Sequence, residues 1–133
     1  MVELVEATIV EKEPGTITIE DRVLLTYDIT GVKIAKVGKG FVVAVDLSFK
    51  AKLVKPMSFV FGICAPNVPN APNVPYKPAG FKVEKMAKAT VKAGEVTIQI
   101  YVEPIAVALA EGYITPFGEP CVSISTITGW IAI

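Results

Sequence analysis

A chain of 133 residues with thirteen basic and thirteen acidic side chains fits a single domain, able to bury about two thirds of its unfolded surface. It contains no histidine, which excludes Ser-His-Asp and Cys-His nucleophiles, histidine metal sites and the usual general base near neutral pH. The 52% hydrophobic content exceeds the globular norm of roughly 45–50%, so burial against other subunits competes with a well-filled β-sandwich as its explanation.

Residues 2–11 alternate, with Val5, Ala7 and Ile9 on one face and Glu3 and Glu11 on the other, which predicts a half-buried strand. Glu13-Pro14-Gly15 turns the chain, and 16–20, 22–28 and, after Gly31, 32–35 read as short strands. Residues 41–53 give the clearest strand, Phe41, Val43, Val45, Leu47, Phe49, Ala51 and Leu53 alternating with residues that become polar toward the end. After Lys55-Pro56, 58–63 reads as a buried strand.

The segment 65–80 then interrupts this pattern, with Pro66, Pro69, Pro72, Pro75 and Pro78 at every third position, the period of polyproline II. Asn67, Asn70 and Asn73, the chain's only asparagines, share that spacing. A rigid loop has no need of so regular a repeat. A preformed extended arm lying in a groove on a neighbour loses little entropy on docking, so Pro66, Pro69, Pro72, Pro75, Tyr76 and Pro78 are the expected subunit-contact residues.

Beyond the arm, 81–92 alternates between apolar residues and Lys82, Glu84, Lys88 and Lys92, and so suits a protected sheet edge. Residues 95–102 predict a further strand. For 104–111, Pro at a first helical position and Gly112 just past the end favour a two-turn helix slightly over a strand. Pro116 and Gly118 mark a turn, and 122–133 closes the chain as a long strand with Gly129 as a candidate bulge. Eight or nine strands with little else predict an all-β fold, one two-sheet antiparallel β-sandwich spanning 1–133, of jelly-roll or immunoglobulin-like topology.

Neutral total charge hides segregation. Residues 1–28 carry seven acids against Lys12 and Arg22, 29–92 carry eleven lysines against Asp46 and Glu84, and the last 41 residues hold Glu95, Glu103, Glu111 and Glu119 with no base. Within one domain this pattern lets acidic strands pair beside basic ones. Between copies it would fix register. The basic middle lacks an aromatic platform for single strands, so nucleic acid is an unlikely and non-specific partner.

Cys64 and Cys121 could form one disulfide, worth very roughly 4 kcal/mol in the loop-entropy model. They are too far apart in sequence for a CxxC pair, no Gly-rich phosphate loop or acidic calcium loop occurs, and no cofactor or metal is expected. Asp21, Asp28, Asp46, Glu84 and Glu103 are the carboxylates from which an acid–base pair could be drawn, although most fall at outward positions or turns. No apolar run approaches the ~18 residues of a membrane helix.

The expected function is therefore a non-enzymatic structural subunit that self-assembles with other copies of itself, and with other coat or filament proteins, through the arm rather than through sheet edges. The acidic start has no secretory-signal pattern. That places a virion coat or decoration protein ahead of an extracellular filament subunit, with a monomeric binding module using the arm or the lysine-rich face as the competing class. A charge set dominated by Lys and Glu, with Arg22 and Gln99 the only residues of their kinds, is a thermophile-like usage.

Overall fold

Period-two alternation makes extended backbone the only conformation that buries the apolar positions on one side. The computed structural model, which describes residues 2–56, 59–64 and 74–133, realises this as eleven strands. They are β1 (Val2–Val5), β2 (Ala7–Glu13), β3 (Gly15–Ile19), β4 (Val23–Val37), β5 (Gly40–Leu53), β6 (Gly62–Ile63), β7 (Lys77–Pro78), β8 (Phe81–Lys85), β9 (Ala87–Ala93), β10 (Val96–Ile114) and β11 (Pro120–Ala132). No helix occurs among the described residues, so none is long and apolar enough to cross a membrane.

Two antiparallel sheets pack face to face. In the first, β5 lies along one side of β4 while β3 and β1 pair with opposite ends of its other side, and β8 extends beyond β3. In the second the order is β2-β9-β10-β11, with β7 and β6 also paired to β10 at its C-terminal end. β6 runs parallel to β10, and the other pairs are antiparallel. The two-sheet antiparallel sandwich predicted from alternation is the fold observed.

Several expectations need correction. The alternating run 2–11 is two strands, because β1 pairs with β4 in the first sheet and β2 with β9 in the second, the chain crossing at Glu6. The run 81–92 divides in the same way at Met86 into β8 and β9. Crossing between sheets leaves a strand's alternation intact, so period alone does not register it. Only β8 has the edge position its lysines suggest, since β9 lies between β2 and β10.

Gly31 does not end a strand. β4 continues through it with an irregularity after Ile29 that leaves Thr30 without a partner. There the edge of β4 between β3 and β1 is covered by Lys12 of β2, whose Nζ donates to Asp28 Oδ2 at 3.0 Å and to the Ile29 carbonyl at 3.1 Å.

The helix favoured for 104–111 is also replaced by strand, because this run pairs with β11 on one side and β7 on the other. Paired burial of Val107 and Leu109 outweighs the propensity of an Ala-rich segment. Pro104 sits next to the unpaired Ile105, at a bulge, where a strand tolerates proline. Gly129, by contrast, pairs with Tyr101 in unbroken register and forms no bulge.

The core between the sheets is built from Ile17, Ile19, Val23, Leu25, Tyr27, Ile29 and Ile34 on one side and Ala87, Ala89, Val91, Ile98, Ile100 and Val102 on the other. Tyr27 is fully buried and crosses the interface. Its hydroxyl donates to the Val102 carbonyl at 2.9 Å and accepts the Ala87 N–H at 3.2 Å. Ala87 and Val102 are the last pair of the β9–β10 ladder, so a side chain of one sheet completes the backbone bonding of the other.

Tyr27→Phe leaves both of those groups without their phenol partner, at about 1–3 kcal/mol for each that stays dry. Burial raises the phenol above its usual value of about 10, the accepted Ala87 N–H opposes the rise, and the nearby Glu103 charge adds to it. The folded state therefore keeps a proton that the unfolded chain releases. This contribution to stability is complete below about pH 10 and is lost as pH rises through the higher folded value. Urea midpoints should fall more steeply above pH 10 in wild type than in Tyr27→Phe, and parallel curves would contradict this role for Tyr27.

Candidate functional site at the root of the proline segment

β10 outruns β9 by a dozen residues, which leaves one side of its C-terminal half unpaired by any long strand. The chain just before the proline segment and the end of that segment fill the space. Lys77 and Pro78 pair with Leu109 and Ala108, Gly62 and Ile63 with Tyr113 and Ile114. Bonds from Phe61 N–H to the Gly112 carbonyl (2.6 Å), Cys64 N–H to the Ile114 carbonyl (2.9 Å) and Ala79 N–H to the Val107 carbonyl (2.9 Å) complete the attachment.

Cys64 and Cys121 are joined by a disulfide with Cα atoms 6.4 Å apart, closing a sequence separation of 57 residues. Both half-cystines are buried with Ala110 in a small cluster that Val74 and Tyr113 cover. Cys64 and Val74, the described residues on either side of 65–73, are thus held at one place. This cluster is separate from the core between the sheets.

Around it lies an exposed aromatic surface. Phe59 and Phe61 meet edge to face with centroids 4.5 Å apart, and Tyr113 lies 6.4 Å from Phe61. Gly112 makes this possible in two ways. Its φ of +83° suits glycine, and a Cβ there would stand 2.6 Å from the Phe61 ring. The strand predicted as buried over 58–63 is therefore largely exposed where it is described, with Phe61 72% and Ile63 64% accessible.

Two hollows flank the aromatics and share Phe59 and Glu111. One, of about 260 Å³, has an apolar wall that includes Leu53, Leu109 and Pro120, with Arg22 at its side. The other, of about 420 Å³, is lined by Phe59, Phe61, Pro75, Lys77, Glu111 and Tyr113. Arg22 donates to Glu20 Oε1 and to Glu111 Oε1, both at 2.7 Å, and so ties the β3–β4 turn to β10. The bond to Glu20 and then that to Glu111 raise the guanidinium pKa further. Across that turn Glu20 and Asp21 both adopt positive φ (48° and 55°), a conformation that ordinarily favours Gly, Asn or Asp.

Of the expected contact residues, Pro75, Tyr76 and Pro78 belong to this root. Pro75 lines the larger hollow, Tyr76 is 40% accessible with its phenol pKa raised by burial, and Pro78 lies exposed in β7. Pro66, Pro69 and Pro72 lie outside the described residues, as does the polyproline II conformation expected of them. Phe59, Phe61, Tyr113 and the Arg22–Glu111 pair were not anticipated. For Phe59 and Phe61 the one signal in the sequence is that residues 59–65 lack the polar alternation of a half-exposed strand while standing directly before the prolines, and Tyr113, Arg22 and Glu111 have none.

The carboxylates considered for acid–base work are dispersed over the fold. Asp28 pairs with Lys12, Glu84 with Lys82 at 3.8 Å, Asp21 occupies the β3–β4 turn, Asp46 stands opposite Gly31 and Glu103 opposite Ile127. The basic middle is likewise divided between sheets. Lys50 and Lys52 lie on β5, while Lys88 and Lys92 of β9 stand opposite Glu13 and Thr8 of β2, and Lys85 reaches Glu13 at 3.7 Å. Acidic and basic stretches thus meet within one chain. Compared with protein-family models, curated proteins and solved structures, the chain matches none.

Proposed function

We propose that this chain is a non-enzymatic structural subunit that self-assembles with other copies of itself, its root and proline segment forming one contact. The observation that carries this reading is that large apolar side chains remain at the surface although the sandwich already has a closed core. Phe59, Val60, Phe61 and Ile63 are more than half accessible at the root, as are Val2, Leu4 and Val42 elsewhere. At the root, where Phe59 packs on Phe61, an exposed apolar surface of this kind ordinarily marks a binding surface.

Within this class we place a virion coat or decoration protein, with an extracellular filament subunit as the neighbouring reading. A buried disulfide suits assembly in an oxidising setting or in a thermophile's interior, and the Lys- and Glu-dominated charges fit the second. The two hollows beside Phe59 favour one rival, a monomeric module that binds a foreign segment at the root.

The test replaces residues 66–72 with a short Gly-Ser linker, sparing Val74 and β7, which pack on the fold. The variant should stay folded by circular dichroism and form smaller oligomers in light scattering. Unchanged oligomers would remove the proline segment from the contact, and a monomeric wild type would favour the binding module.

A further inference from the structure

We propose that the free edge of β11 between Thr126 and Ala132 is a second contact, which pairs antiparallel with the same edge of another copy. This rests on the self-assembly reading above but not on the proline segment. β11 pairs with β10 alone among the described strands, and the hydrogen bond between it and β5, the neighbouring edge, comes from a side chain, Trp130 Nε1 to the Phe41 carbonyl at 3.1 Å.

Which groups face outward follows from the register. Ile133 N–H donates to the Thr97 carbonyl at 2.8 Å, and pairing runs unbroken from Ile98↔Ala132 to Pro104↔Thr126. Bonded and non-bonded pairs alternate in an antiparallel ladder. Ile131, Gly129 and Ile127 therefore turn their N–H and C=O groups toward β10. Ala132, Trp130, Thr128 and Thr126 turn theirs to the open edge, four donors and four acceptors in one row.

Free edges are ordinarily protected by charge, and the others of more than two residues here follow that rule. Glu3 lies on β1, Glu11, Lys12 and Glu13 on β2, Asp46, Lys50 and Lys52 on β5, and Lys82, Glu84 and Lys85 on β8. β11 has thirteen residues and no charged side chain, and that of Ile133 is apolar as well. That pattern selects the occupant. About a two-fold axis residue i of one strand meets residue j of its copy and j meets i, and β11 brings no charged side chain to any such pair, so it can lie against its own copy without burying or opposing a charge.

The side chains agree. Ile127 and Ile131, 52% and 57% accessible, stand on the outer face of the second sheet opposite Glu103 and Gln99. Pairing across the edge would join them to their counterparts as one apolar strip, the cross-strand contact that stabilises sheets.

Two substitutions test the edge while sparing the ladder to β10. A Cβ at Gly129 would meet nothing within 4 Å, so Gly129→Lys adds a charge at no cost in packing. Thr128→Pro removes a donor that β10 does not use. Sedimentation velocity over a wide concentration range should show wild type associating and Gly129→Lys less associated or monomeric, with Thr128→Pro alike if it folds. Hydrogen exchange should slow at Thr128, Trp130 and Ala132 in assembled wild type and not in Gly129→Lys. Wild-type assembly unaltered by folded Gly129→Lys, with those amides exchanging freely, would overturn the edge pairing and leave self-assembly standing. Wild type that stays a single copy throughout would overturn both.

Discussion

Reducing the Cys64–Cys121 disulfide, or replacing both residues by alanine, is expected to lower stability by about 4 kcal/mol, the loop-closure entropy of a long cross-link. For a domain of this size that shift corresponds to a fall in melting midpoint on the order of 15 °C. Cys64, Ala110 and Cys121 form a cluster separate from the core, so the root should loosen before the sandwich melts. Calorimetry with and without reductant reads the first effect, and hydrogen exchange at Phe61 and Cys64, whose amides bond to Gly112 and Ile114, reads the second. The oxidised protein should melt above the mesophile range of about 45–65 °C. Equal midpoints with and without reductant would contradict the disulfide's part in this account.

Gly15→Ala should be as damaging although it adds one methyl group. Gly15 stands directly opposite Tyr27 in the β3–β4 pairing, and a Cβ there would overlap the Tyr27 ring. The ring has no room to retreat, being fully buried and fixed at its hydroxyl by Val102 and Ala87. Overpacking together with the loss of those bonds costs roughly 3–5 kcal/mol. A double-mutant cycle identifies the cause, because in a Tyr27→Ala background the same substitution has nothing to strike and should cost little. Additive effects of the two substitutions would assign the role of Gly15 elsewhere.

Alternation made most of the strands legible, β5 above all, because the two faces of a half-buried strand meet different solvents. It did not reveal the sheet changes at Glu6 and Met86, where the period persists while the pairing partner changes. Local punctuation misled at 104–111. Pro104 and Gly112 resemble helix ends, yet one serves a bulge and the other clears the Phe61 ring.

The site was legible where it is local in sequence. Pro75, Tyr76 and Pro78 announce the root by their spacing, whereas Phe59, Phe61 and Tyr113 come from segments fifty residues apart and meet only because β10 outruns β9. Arg22 and Glu111, 89 residues apart, are joined by the same geometry. The unprotected edge of β11 was half legible. Its lack of charge stands in the sequence, but its position at the edge of a sheet does not.

We propose that this sandwich acts as one copy among many. Sedimentation equilibrium of the oxidised wild-type protein tests it most directly, with electron microscopy to separate closed shells from filaments. Self-assembly gives a mass that is a multiple of 14.2 kDa and rises with concentration. A mass fixed at one copy over the whole range would contradict it.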